Sequence, residues 1–298
     1  MDILWLLSEI RTPFGERLFQ LITYFGQETL ILAAICTLYW CISKRFAYQL
    51  GFAYFTAGLL IQSLKITFRI DRPWVLDPAF KAVESAVPAA TGYSFPSGHT
   101  QAATALYGSC AAVSKKRWQK VFFVCCFLLV AFSRLYLGVH TPKDVLVSMA
   151  ITLFFTWLVY HFQSVLLDER TYIRVITLFM VLASAAVCIY ALILLNNGTI
   201  ELKYASDCCK AAGAGCGFAA GFYLERTRLD FDTRTKTIGG QLLKLFIGLG
   251  ITLLLKLYLP ELIGKSIAAR IFEYFFLVLW VLVIYPYCFS RLSLDRDN

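Results

Sequence analysis

Ser133-Arg134-Leu135-Tyr136-Leu137-Gly138-Val139-His140-Thr141-Pro142-Lys143-Asp144 closes one apolar run and opens the next. Before it, Val121 to Leu137 is apolar apart from Ser133 and Arg134; after it, Asp144 to Leu166 is again mostly apolar. Each run is long enough to cross the roughly 30 Å hydrocarbon core of a bilayer as a helix. A tight turn at Thr141-Pro142 joins them, which predicts two consecutive membrane helices. The polar residues are gathered at the junction, where stability alone would not require them.

Runs of this kind recur from end to end. The 298-residue chain is 59% hydrophobic and 16% charged, with a mean hydropathy of +0.66. An average soluble domain carries about 25% charged residues, so the expected class is an all-α, polytopic membrane helical bundle. Nine spans are expected: Thr29–Ser43, Phe46–Leu64, Gly98–Ser114, Val121–Leu137, Asp144–Leu166, Val175–Leu195, Asp207–Leu224, Gln241–Leu259 and Ile267–Phe289. An amphipathic helix, Met1 to Gln27, precedes them, broken near Thr12-Pro13 and with Leu18, Ile22 and Phe25 as its apolar stripe. That segment also holds Arg11, Glu16 and Arg17 and lacks a small-residue cleavage site, so a cleavable leader is not expected. The expected organisation is a core over 1–166 that carries every polar motif, then a C-terminal four-helix extension over 167–298.

The net charge is +9, and it does not point to nucleic acid. When the loops are alternated, one face collects Lys44, Arg45, Lys115, Lys116, Arg117, Lys120, Arg170, Arg174, Arg226 and Arg228 in its short loops. Cytoplasmic loops accumulate such residues, so this face is expected inside the cell membrane and the motifs outside. Most of the ten cysteines fall within apolar runs at no metal-ligand spacing, as packed thiols do. Gly213, Gly217 and Gly221 form a four-residue stripe that suits close helix packing or an oligomer contact.

Three polar sets stand where apolar runs meet turns: Lys65 with Arg72-Pro73; Pro96-Ser97-Gly98-His99; and Ser133-Arg134, His140 and Asp144. They supply three cations, a hydroxyl, a glycine amide and two imidazoles. A phosphate monoester brings close to two negative charges, and its transition state spreads charge over equatorial oxygens. Lys65, Arg72 and Arg134 can meet those oxygens, the arginines with two donors at once. Ser97 suits an N-cap, which places Gly98 and His99 in a helix's first turn, where free amides favour an anion. Asp144 can hold one nitrogen of His140 and leave the other nucleophilic. No cofactor and no metal are called for. His161, at the far end of its span, has no such company.

Lys-x6-Arg-Pro, Pro-Ser-Gly-His and Ser-Arg-x5-His-x3-Asp together resemble the signature of the type-2 phosphatidic acid phosphatase superfamily. That family includes integral lipid phosphatases, glucose-6-phosphatase, soluble acid phosphatases and vanadium haloperoxidases. The resemblance implies that His140 attacks phosphorus, His99 protonates the leaving group and Asp144 orients His140. It implies that Lys65, Arg72, Ser97, Gly98 and Arg134 hold the phosphate. The chain departs from the six-span lipid phosphatases, and its nine-span layout is closer to the glucose-6-phosphatase branch.

The expected function is therefore hydrolysis of a lipid phosphate or diphosphate, of the polyprenyl diphosphate or phosphatidic acid kind. The lipid substrate and the surrounding membrane lipids are the expected partners. Trp74, Phe80, Tyr93 and Phe95 in the intervening loop suit such a substrate. The alternatives are a phosphatase for a soluble phosphate ester and a non-catalytic transporter. A transporter calls for ionisable residues in mid-span, whereas these cluster at one surface.

Overall fold

The structure, a computed structural model, describes residues 1–235 and 237–291. Among these residues every regular element is helical: α1 (Asp2–Glu9), α2 (Pro13–Tyr24), α3 (Glu28–Thr37), α4 (Lys44–Phe68), α5 (Pro73–Leu76), α6 (Gly98–Val113), α7 (Arg117–Tyr136), α8 (Pro142–His161), α9 (Gln163–Leu167), α10 (Ile173–Asn196), α11 (Leu202–Leu224), α12 (Ile238–Ile263), α13 (Ile267–Leu279) and α14 (Tyr285–Arg291). Short 3-10 or π turns extend several of them.

Helix starts follow local chemistry. Thr12 caps α2 by accepting from the Gly15 amide at 3.1 Å, and Pro13 fills the first helical position, where its missing N–H costs nothing. This is the break expected at Thr12-Pro13. Ser97, Thr237 and Ser266 cap α6, α12 and α13 in the same way.

Each expected span has a helix, yet among the described residues only six segments are long and apolar enough to cross a membrane: Lys44–Leu76, Arg117–Tyr136, Pro142–His161, Arg170–Asn196, Ile238–Ile263 and Ile267–Arg291. The bent pair Pro13–Tyr24 and Glu28–Ile42 makes a seventh only if counted as one span. The count of nine crossings thus does not follow. The helices that fall short are informative. In α6 the residues Thr100 to Leu106 are all buried, and α11 buries Cys208, Cys209 and most of 212–222. A helix enclosed by other helices needs small side chains, and lipid-facing hydropathy is not required of it. By contrast α8, α10 and α12 expose Leu153, Phe154, Trp157, Leu178, Phe179, Leu182, Phe246, Leu254 and Leu257. Water would penalise rows of this kind and lipid would not. The chain is a multi-pass membrane protein.

The chain forms two compact units, 1–31 with 60–160, and 32–59 with 161–298. The expected boundary after Leu166 is therefore crossed by 32–59, and the polar bonds explain why. Within the second unit, Tyr39 Oη donates to the Leu282 carbonyl and Trp40 Nε1 to that of Val281, each at 2.9 Å. Lys44 and Tyr48 both bond the buried Glu225, at 2.7 and 2.6 Å. In the same unit α11 lies against α10 and α13. A Cβ on Gly213 would strike the Ile271 carbonyl oxygen, and one on Gly217 that of Phe275 at 2.6 Å. The glycine stripe is thus spent on packing inside the chain.

In the first unit, α2 packs on α7. Its inward face is Gly15, Phe19, Ile22 and Thr23, continued by Gly26; Leu18 and Phe25 of the expected stripe are exposed, at 41% and 47%. A Cβ on Gly26 would lie 2.7 Å from Val130 Cγ1 and 2.8 Å from the His99 carbonyl oxygen. Small residues thus set how closely α2 approaches the helices that carry the motifs.

Candidate active site

The eight residues given roles above, like the rest of the three motifs, lie in the first unit. Lys65 stands near the end of α4, and its ammonium donates to the Tyr93 carbonyl at 2.7 Å. Arg72 immediately precedes α5. Its Nε donates to Gly92 O at 3.0 Å, Nη2 to Thr91 O at 2.7 Å and Nη1 to Val139 O at 2.9 Å. Nη1 is also 2.9 Å from His140 Nε2. Arg72 therefore clamps the 91–92 loop to the 139–140 turn.

Ser97 is fully buried, and its hydroxyl oxygen accepts from Thr100 Oγ1 at 2.9 Å and more weakly from the Thr100 amide at 3.4 Å. Its backbone amide donates to the Asp144 carbonyl at 3.1 Å, which fixes the start of α6 beside the start of α8. Gly98 opens α6, and a Cβ there would meet nothing within 4 Å. An oxyanion thus has room to approach the first amides of α6, at the positive end of the helix dipole.

His140 lies between α7 and α8 and is 1% exposed. A guanidinium can only donate, so the contact from Arg72 makes Nε2 the acceptor and leaves the imidazole proton on Nδ1. Nδ1 faces Asp144 Oδ2 at 3.4 Å. That carboxylate oxygen accepts from Ser94 Oγ at 2.6 Å and from the Thr141 amide at 2.8 Å. Burial, then the charges of Arg72, Arg134, Lys65 and His99, hold His140 well below the ordinary histidine value of 6.5. The same three cations lie close enough to His99 to act on its charge.

Arg134 is fully buried in α7. Its Nη1 donates to Thr23 Oγ1 at 2.7 Å. Its Nε and Nη2, and Nε2 of His99, are buried atoms without a hydrogen-bond partner among the described residues. A buried polar group left so costs of order 1–3 kcal/mol, more if charged. All three are donors or potential donors, and the charge of Arg134 acts on His99.

Ser94 and Thr23 were not singled out in the sequence. Each is a lone hydroxyl outside any motif, 50 residues from Asp144 and 111 from Arg134 respectively. Only the fold brings them in. His161 ends α8, is exposed, and stacks edge-on against Phe162.

The chain is 35% identical over 114 residues to undecaprenyl-diphosphatase BcrC of Bacillus subtilis, a match covering 37% of this chain and 54% of that protein. It is 35% identical over 69 residues to the lipid A 4'-phosphatase of Bacteroides thetaiotaomicron, covering 23% and 31% of the two chains. To human sphingosine-1-phosphate phosphatase 2 it is 25% identical over 224 residues, covering 72% and 53%. The chain thus spans from just under a third to about half of the length of these curated relatives. No solved structure matches it. The model of the PAP2 superfamily matches residues 46–168, and that of the PAP2 superfamily phosphatase transmembrane extension matches 209–297. Two models of one superfamily thus account for most of the sequence, the first enclosing all three polar motifs, and the chain belongs to the PAP2 superfamily.

Proposed function

We propose that this protein is a membrane phosphatase that removes phosphate from a lipid phosphate or diphosphate on the extracytoplasmic side. The observation that carries the proposal is the cluster of buried, partnerless nitrogens on His99 and Arg134 beside the open start of α6. A phosphoryl group supplies the acceptors that they lack.

In this reading the phosphoryl oxygens sit against Arg134, Lys65, Ser97 and the Gly98 amide, and draw Arg72 Nη1 toward them. That releases the lone pair on His140 Nε2. Nε2 bonds to phosphorus as the bond from phosphorus to the lipid oxygen breaks, and protonated His99 gives its proton to that oxygen. Asp144 and Ser94 keep the remaining proton on Nδ1, so the imidazole cannot turn or lose its tautomer. Neutral His99 then takes a proton from water, whose oxygen attacks the phosphohistidine; inorganic phosphate leaves and His140 is restored. The side chains named here supply the charge compensation, and no metal is required.

Two observations favour a lipid. The three relatives are named for an undecaprenyl diphosphate, a lipid A and a sphingosine phosphate. Near the motifs, Phe68, Val75, Leu76 and Leu146 are each more than half exposed, as an apolar tail entering from the bilayer needs. The distribution of Lys and Arg favours an outward site. The chemistry belongs to the first part of the chain, with the helices after 167 as an extension.

Purified protein incubated separately with a polyprenyl diphosphate, a phosphatidic acid and a sugar phosphate tests this reading. Release of inorganic phosphate from the lipids, with label trapped on His140 as an acid-labile adduct, is expected. Turnover of the sugar phosphate alone would assign a soluble substrate, and no turnover of any would end the proposal.

A further inference from the structure

The site has a polar neighbour outside the residues that the family model matches. Thr23 lies on α2, upstream of the matched residues 46–168, and is 1% exposed. Its hydroxyl oxygen accepts the Arg134 Nη1 proton at 2.7 Å, and Arg134 is fully buried. No other protein group bonds the Arg134 guanidinium among the described residues, since its Nε and Nη2 have no partner. A guanidinium is a flat fork whose donors point in fixed directions. Holding Nη1 by one edge therefore fixes where the other donors point.

We propose that Thr23 is a positioning residue for phosphate: by accepting from Nη1 it fixes Arg134 so that Nε and Nη2 stay presented to the substrate's phosphoryl oxygens. The packing of α2 suits the task. Gly15 lies against the Tyr136 hydroxyl, and Gly26 against Val130 and the His99 carbonyl. Thr23 falls between the two contacts, opposite the turn of α7 that carries Arg134. A flexible arginine would lose side-chain freedom each time phosphate bound; one already held loses less. Replacing the hydroxyl by a methyl leaves a buried charged donor unpaired and removes the hold in the same step. This role rests on the phosphatase reading above.

The test compares Thr23→Val with Thr23→Ser in the full chain, reading orthovanadate inhibition, kcat and KM on a lipid phosphate, and thermal stability. Thr23→Val keeps the side-chain shape and removes the acceptor, whereas Thr23→Ser restores it. The expected result is a loss of about tenfold or more in vanadate affinity and in kcat/KM for Thr23→Val, with Thr23→Ser within about threefold of the parent. A Thr23→Val protein with the parent's vanadate affinity and kcat/KM, whatever its melting temperature, overturns the proposal and leaves the phosphatase reading standing. Equal losses in both variants also overturn it, since the hydroxyl is then not the operative group. A parent protein that neither turns over a phosphate ester nor binds vanadate overturns both readings together.

Discussion

Arg72 Nη1 lies 2.9 Å from Nε2 of His140, and this contact sets the tautomer of the imidazole. The donor is always charged, so Nε2 keeps its lone pair, and a proton added to His140 would have to displace Arg72 and join three cations. Burial is the largest cause that lowers the His140 value below 6.5, and Arg72 is the first of the charges.

The pH profile should report this. His140 must be neutral to attack, so kcat/KM, which reads the free enzyme, declines as pH falls through the lowered His140 value. After correction for the substrate phosphate's own ionisation, near pH 6, the acid limb should lie below 6.5. A limb above 6.5 would mean that His140 is not held neutral by its surroundings. Arg72→Gln removes a cation, so whatever residual acid limb it shows should move to higher pH.

The three histidines divide into two that matter and one control. His140→Ala and His99→Ala should each cost several powers of ten in kcat, because residues that act as a unit fail together. Exposed, distant His161→Ala should change kcat less than about twofold. Equal losses at all three positions would show that the measurement followed folding.

The motif residues were legible because their chemistry is local: Ser97 three residues before the amide it caps, Asp144 four after His140, Arg72 seven after Lys65. The starts of α2, at Thr12-Pro13, and of α6, at Ser97, were legible for the same reason. The inward face of α2 was not. In water a large apolar stripe turns inward, but in lipid Leu18 and Phe25 can face out while Gly15, Thr23 and Gly26 make the close contact. The same inversion hid the nature of α6 and α11, whose small and polar residues belong to enclosed helices. Nothing near Ser94 or Thr23 in the chain announces a partner 50 or 111 residues away.

Packing of the glycine stripe gives a stability prediction. Gly213→Ala presses a methyl into the backbone carbonyl of Ile271, which cannot move aside as a side-chain tip could. Overpacking of this kind costs about 1–3 kcal/mol, read as a lower melting temperature in detergent. Gly250→Ala, in exposed α12 with nothing within 4 Å of the new Cβ, should be neutral or stabilising by up to about 1 kcal/mol through helix propensity. Equal effects at the two positions would mean that α11 is not held as described.

Outward placement of the site carries the most for the substrate, because it decides which leaflet supplies the lipid. Cytoplasmic loops are enriched in Lys and Arg, so Lys115-Lys116-Arg117 should lie inside and the 77–95 loop, with Arg72 and Tyr93 at its base, outside. Glu84 and Lys115 are both exposed and serve as reporters, whereas Ala82 is half-buried against the Val83 and Leu137 core. In a background depleted of the ten native cysteines, Glu84→Cys should react with a membrane-impermeant maleimide in intact cells. Lys115→Cys should react only after lysis. The reverse pattern would turn His99, Arg134 and His140 toward the cytoplasm and remove the argument for an outward-leaflet substrate. Given the expected pattern, the phosphate enters from the outer surface while its tail stays in the bilayer beside Phe68 and Leu146. Shortening that tail at a fixed bulk concentration should then raise KM more than it lowers kcat, because the tail partitions the substrate into the bilayer and takes little part in the transfer.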